Sequence, residues 1–112
     1  ISSHEPCSLC LSGITWSGFD NFIYLYPYKN TKLEFNIPHD LKILDQVFKI
    51  KNGEYNKSNY YWKSYSITEE MSNLSINKQN LLNEKISIIN QKYKDLSLLY
   101  QKNKKNNKIP LN

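Results

Sequence analysis

Arginine is missing from this chain: all fifteen of its basic residues are lysine. Asn, Ile and Tyr are abundant beside them, a pattern of AT-rich coding bias, so the net charge of +5 weighs little as a sign of a nucleic-acid partner. Cysteine is nearly absent. Cys7 and Cys10, three apart, cannot build a framework of long-range disulfides, so nothing argues for secretion. No signal-like run opens the chain and no apolar stretch approaches a membrane span. A cytoplasmic protein with no membrane partner is the expectation. Histidine is limited to His4 and His39, and neither begins an HxE: His4 is followed by Glu5-Pro6 and His39 by Asp40-Leu41. Hydrophobic residues make up 39% of 112 residues and mean hydropathy is −0.66, low for a chain of this length that must supply its own core.

Against these absences stands one dense motif, Glu5-Pro6-Cys7-Ser8-Leu9-Cys10. Cysteines three apart on one helical turn face the same way and can share a metal ion. Pro6 suits the first helical position, where a missing N–H costs nothing, and the positive helix end favours thiolates. Three readings of the pair follow from the residues: two metal ligands, a redox CxxC, or inert thiols. A redox CxxC has no reason to want Glu5-Pro6 ahead of it. A structural zinc ribbon is excluded, because it needs a second cysteine pair.

The motif resembles half of the zinc site of the cytidine deaminase-like enzymes, whose signature is HxE followed by PCxxC. Ser3-His4-Glu5-Pro6-Cys7-Ser8-Leu9-Cys10-Leu11-Ser12-Gly13-Ile14-Thr15-Trp16 is similar to the guanine deaminase and tRNA adenosine deaminase branch. There a small residue, a Glu and PCxxC lead into a helix ending in an aromatic. The following Gly18-Phe19-Asp20-Asn21 turn and Phe22-Ile23-Tyr24-Leu25-Tyr26 strand keep the family's order. Asn36-Ile37-Pro38-His39-Asp40-Leu41-Lys42-Ile43-Leu44 resembles a segment of nucleoside deaminase relatives.

This resemblance implies an α/β fold, the C-terminal half of a three-layer cytidine deaminase-like domain, with a long C-terminal helix added. It implies Zn as cofactor, Cys7 and Cys10 as metal ligands, and a nucleobase, nucleoside or tRNA base as substrate, with a homodimer in keeping with the branch. In the family, zinc activates water for attack on the amino-bearing carbon and the Glu of HxE moves the protons. With HxE missing, no catalytic residue is assigned here, and the chain is expected to be an inactive part of a longer enzyme. The alternative function is a non-catalytic helical interaction module carrying a relic cysteine motif.

Along the chain, residues 1–67 read as the deaminase part and 68–112 as a helical extension with a polar tail. The sequence predicts a helix from Cys7 to Trp16, with Gly18 closing it, and a strand over residues 20–28 covered on both faces as in a parallel sheet. A polar turn is expected at Lys29–Lys32. Ile37-Pro38 introduces a helix with Leu41, Leu44, Val47 and Phe48 on one face, and Asn52-Gly53 marks a turn. Tyr60-Tyr61-Trp62-Lys63-Ser64-Tyr65 reads as a strand or a packed loop. From Ile76 to Lys105 a long helix carries a heptad-like seam of Leu82, Ile86, Ile89, Tyr93, Leu96 and Tyr100, and residues 103–112 are expected to fray. The seam reads as a coiled coil or, preferred, as a face docking on another part of the parent protein or on a neighbouring subunit.

Among lesser candidates, His4, off the face that carries the thiols, is expected to line the pocket floor or to pack at the end of the preceding strand rather than to serve as a third metal ligand. Glu5 is expected to act locally near the helix N-terminus. His39 reads as a surface or helix-start histidine rather than a substrate contact, and Trp16 is expected to pack on the sheet rather than to stack on a base. Trp62 and the Tyr60-Tyr61 pair are open between packing and stacking on a base.

Overall fold

The computed structural model describes residues 1–33 and 38–106. Two compact units divide the chain, Ile1–Met71 and Ser72–Asn112. Against the sequence boundary at 67/68, a one-turn helix beginning at Ile67 belongs with the first unit.

The first unit is mixed α/β. Strand β1 (Ser2–His4) leads through the cysteine motif into α1 (Ser8–Trp16), then β2 (Asn21–Tyr26), α2 (Tyr28–Leu33), α3 (His39–Phe48), β3 (Lys63–Ser66) and α4 (Ile67–Glu70). The sheet runs β1-β2-β3 and is parallel throughout. Ser2 pairs with Tyr24 and His4 with Tyr26 on one side of β2, while Asn21 through Tyr24 pair with Lys63 through Ser66 on the other. β2 is thus the central strand. Its Phe22, Tyr24, Leu25 and Tyr26 are buried, which is why it reads as an almost unbroken apolar run.

The core joins Phe22, Tyr24, Tyr28, Leu44, Tyr55 and Trp62, with Leu11, Ile14, Leu41 and Ile50 packed around it. Its aromatic rings meet edge-on or tilted: Phe22 and Trp62 at 5.1 Å between centroids, Tyr55 and Trp62 at 6.0 Å, Tyr28 and Tyr55 at 6.2 Å. A core rich in tyrosine and tryptophan carries polar tips that must find partners. The Trp62 indole N–H donates to Thr15 Oγ1 at 2.8 Å, tying the residue before β3 to α1.

Local chemistry explains the ends of elements. α1 ends in a Schellman motif: the Gly18 N–H reaches the Thr15 carbonyl at 3.2 Å, the Phe19 N–H reaches Ile14 at 3.4 Å, and Gly18 takes φ +72°. The Asn52-Gly53 signal forms a 3-10 turn, Lys51–Gly53, with both residues at positive φ. A Cβ on Gly53 would lie 2.5 Å from the Tyr28 ring and 2.9 Å from Leu41, so the turn also needs glycine for space.

Four expectations are corrected. Lys29–Lys32 is not a turn but most of α2, whose Tyr28 and Thr31 are buried although Lys29, Asn30 and Lys32 are polar and Leu33 is exposed. On α3, Leu44 is buried, but Val47 and Phe48 are 68% and 54% exposed, so the apolar face is covered only in part. Trp16 does not pack on the sheet, being 91% exposed at the last turn of α1. Pro6 precedes the helix by two residues, and Cys7 occupies the N-cap with extended backbone (φ −64°, ψ 170°). Ile37, expected to introduce α3, and the Asn36-Ile37 start of the second resemblance lie outside the described residues, as does the tail from residue 107.

The second unit is built on α5 (Ile76–Asn103), continued by a 3-10 turn at Lys104–Asn106. No residue of α5 is buried. Of the seam, Leu82, Ile86 and Tyr93 are half-buried, whereas Leu96 is 57% exposed. Among the described residues, no helix is long and apolar enough to cross a membrane.

Candidate metal and thiol site

The cysteine motif lies where β1 hands over to α1, at the carboxyl end of a parallel strand, the edge at which open α/β sheets place their sites. Glu5 continues the ladder by one bond, its N–H donating to the Tyr26 carbonyl at 2.7 Å. The chain then turns through Pro6, Cys7 caps the helix without a side-chain bond, and its carbonyl accepts the Leu11 N–H at 2.9 Å. Cys10 follows one turn later on an exposed face.

The two sulfurs converge. Cys7 Sγ lies 3.3 Å from Cys10 Sγ, the first half-buried and the second exposed. The hydrogen bond shared with Cys7, followed by partial burial, pushes the Cys10 thiol above its ordinary pKa, which opposes the thiolate form expected from the helix end alone. Two thiolates at about 2.3 Å from one zinc stand roughly 3.8 Å apart in a tetrahedral site, so the pair needs to open by only about 0.5 Å. The donor set therefore fits two of four zinc positions. Among the described residues no group of three His, Cys, Asp or Glu side chains converges to complete them.

His4 ends β1, as expected, with its ring 5.0 Å from that of Tyr26 and its Nδ1 3.2 Å from Ser3 Oγ. Burial lowers its pKa, so the neutral imidazole is favoured. His39 is the first residue of α3, as expected, and Asp40 beside it has its pKa raised by burial, against the charge of His39. Trp62 is closed off as a stacking platform by its place in the core, whereas Tyr60 and Tyr61 are 96% and 62% exposed at the tip of the loop before β3. Asn59 makes that tip, its Oδ1 accepting the N–H groups of Tyr61 and Trp62 at 2.9 and 3.1 Å.

Sequence reasoning missed the network under the motif. Glu5 is only 4% exposed. Its Oε2 accepts the Tyr28 backbone N–H at 2.8 Å; its Oε1 accepts the Tyr55 hydroxyl at 2.9 Å and meets Lys57 Nζ at 3.2 Å. Lys57 also donates to the Tyr24 hydroxyl at 2.8 Å. Burial works against the Lys57 ammonium, yet the bond to Tyr24 and the charge of Glu5 outweigh it and raise its pKa. Burial, reinforced by the charge of Glu5, pushes the Tyr28 and Tyr55 hydroxyls far above the usual tyrosine value. The Tyr28 hydroxyl in turn donates to the Pro6 carbonyl. Glu5 thus holds the start of α2 while Tyr28 holds the residue before Cys7, closing a ring of contacts just ahead of the thiol pair. The available signal was an acidic residue between a short strand and Pro6, in a chain with nine tyrosines whose hydroxyls need acceptors wherever they are buried.

No family model, no curated protein and no solved structure matches this chain.

Proposed function

We propose that this chain is part of a zinc-dependent hydrolytic deaminase acting on a nucleobase, a nucleoside or a tRNA base, with Cys7 and Cys10 as two of the zinc ligands. The observation that carries this reading is the convergence of the two sulfurs to 3.3 Å at the start of a helix leaving the carboxyl end of a parallel strand. The order strand, PCxxC helix, apolar strand supports the finer assignment to the C-terminal half of a three-layer cytidine deaminase-like fold, with α5 added. β1 lies at an edge of the sheet, where further strands of a larger domain would pair. Zinc bound there supplies Lewis acidity for hydrolytic attack on an amino-bearing ring carbon. The chain's own residues supply two sulfurs, held in register by Glu5 and Tyr28, and no HxE glutamate, so by itself it is inactive.

The second reading, a helical interaction module with a relic motif, is favoured by one observation: α5 leaves Leu81, Ile88, Leu96, Leu98 and Leu99 more than half exposed. Cobalt titration of the reduced chain separates the two. The deaminase reading expects a thiolate-to-cobalt absorption band that zinc quenches and that Cys7→Ser or Cys10→Ser removes. The module reading expects no band and a concentration-dependent helical assembly indifferent to chelators. Ammonia release by the longer parent protein, lost on Cys7→Ser, then tests the reaction itself.

A further inference from the structure

We propose that Cys7 and Cys10 form a reversible dithiol–disulfide centre, a modification site independent of whether the pair also binds metal. At 3.3 Å the sulfurs are already in contact and need to approach by a little over 1 Å to reach the disulfide length of about 2.05 Å. The backbone on the N-terminal side is fixed: the Glu5 N–H is bonded to Tyr26, the Glu5 carboxylate to Tyr28 and Tyr55, and the Pro6 carbonyl accepts from Tyr28. On the C-terminal side, the Leu11 N–H to Cys7 carbonyl bond sets the first turn of α1. Closure is therefore a rotation of two side chains on a held frame.

Exposure sets the order of events. Cys10 is exposed and Cys7 half-buried, so a small oxidant meets Cys10 first. With a low-molecular-weight disulfide as oxidant, the Cys10 sulfur, its proton passed to solvent, attacks one sulfur of the reagent and expels the other half as a thiol. Cys7, also losing its proton, then attacks Cys10 Sγ and expels the second small thiol. Two S–H bonds are lost, one S–S bond forms, and one disulfide is reduced to two thiols. The product has no thiolate to offer a metal, so oxidation and metal binding at this pair exclude each other. In a reducing compartment a disulfide of this kind is transient and reports redox state.

The test equilibrates the whole chain with glutathione buffers of rising oxidised fraction, acid-quenches it, and reads free thiols and intact mass. The expected result is a fall from two free thiols to none, with the mass of a monomer less two hydrogens, reversed by dithiothreitol. Cys7→Ser and Cys10→Ser should each end as a glutathione adduct, confirming that closure needs both sulfurs. The same series in urea isolates the contribution of the fold: the native chain should close at an oxidised fraction several-fold lower. Wild-type chain that ends as an adduct or a disulfide dimer overturns the proposal, as does equal closure in native buffer and in urea.

Discussion

Replacing Glu5 by Gln keeps the side-chain volume and removes one charge from the buried network, so its cost can be worked from the contacts. An amide offers one acceptor oxygen. The least damaging orientation turns that oxygen to the Tyr28 N–H and the NH2 to the Tyr55 hydroxyl, which rotates to accept. Both contacts survive as neutral hydrogen bonds, about half as strong as charge-assisted ones, a loss of about 1 kcal/mol each. Lys57 must leave, but its side chain is 44% exposed and rehydrates, so the lost ion pair adds less than about 1 kcal/mol. The total of about 2–3 kcal/mol lowers Tm by roughly 10–20 °C for a unit of this size. Glu5→Ala leaves the buried Tyr28 N–H with no acceptor and opens a cavity, and should exceed about 3 kcal/mol. Near-UV circular dichroism is the appropriate probe, because the buried tyrosines and Trp62 all lie in the first unit, whereas α5 weighs heavily in the far-UV signal. A Glu5→Gln shift under about 2 °C would refute the network as a stabilising hub.

Two glycines at positive φ give a matched contrast. Gly53→Ala should cost about 2–4 kcal/mol, combining left-handed strain with a clash against Tyr28 and Leu41, whereas Gly18→Ala, with open space around it, should cost only about 1–2 kcal/mol; equal midpoint shifts in denaturant would defeat this account. Alkaline titration offers a pH test. Tyr28 and Tyr55 have folded pKa values raised above the unfolded value of about 10, so the folded state holds more protons than the unfolded one above that pH. Stability should therefore fall as pH rises past about 10, and tyrosinate absorbance should show these two ionising only with unfolding; smooth titration of every tyrosine in a chain that stays folded would contradict their burial.

Legibility from sequence followed the range of the interactions that fix each feature. β2 was readable because a strand buried on both faces needs an apolar run, and α5 because its apolar residues recur at helical spacing. The Gly18 and Asn52-Gly53 turns were readable because backbone conformation at positive φ selects those residues directly. α2 was hidden, since Lys29-Asn30-Thr31-Lys32 carries no apolar stripe and its inward side is one tyrosine and one threonine. Trp16 shows the converse failure. A large aromatic at a helix end looks like a packing residue, but α1 rests half-buried Leu11 and Ile14 against the core and turns Trp16 outward.

The site divides along the same line. The proximity of Cys7 and Cys10 follows from a spacing of three at a helix start, so it was local and visible. The partners of Glu5 stand 23 and 50 residues away, and only the parallel pairing of β1 with β2 brings Tyr28 within reach. One residue thereby performs two tasks that a sequence displays as one motif. Its backbone ends the β1 ladder against Tyr26, and its carboxylate turns inward to hold the start of α2. Pro6, with no N–H of its own, leaves only its carbonyl to satisfy, and the Tyr28 hydroxyl does so. The order Glu-Pro-Cys therefore has a physical reason that does not depend on what the sulfurs bind. An anchored carboxylate and an anchored proline carbonyl fix the two residues before Cys7, and with them the direction from which its thiol meets Cys10.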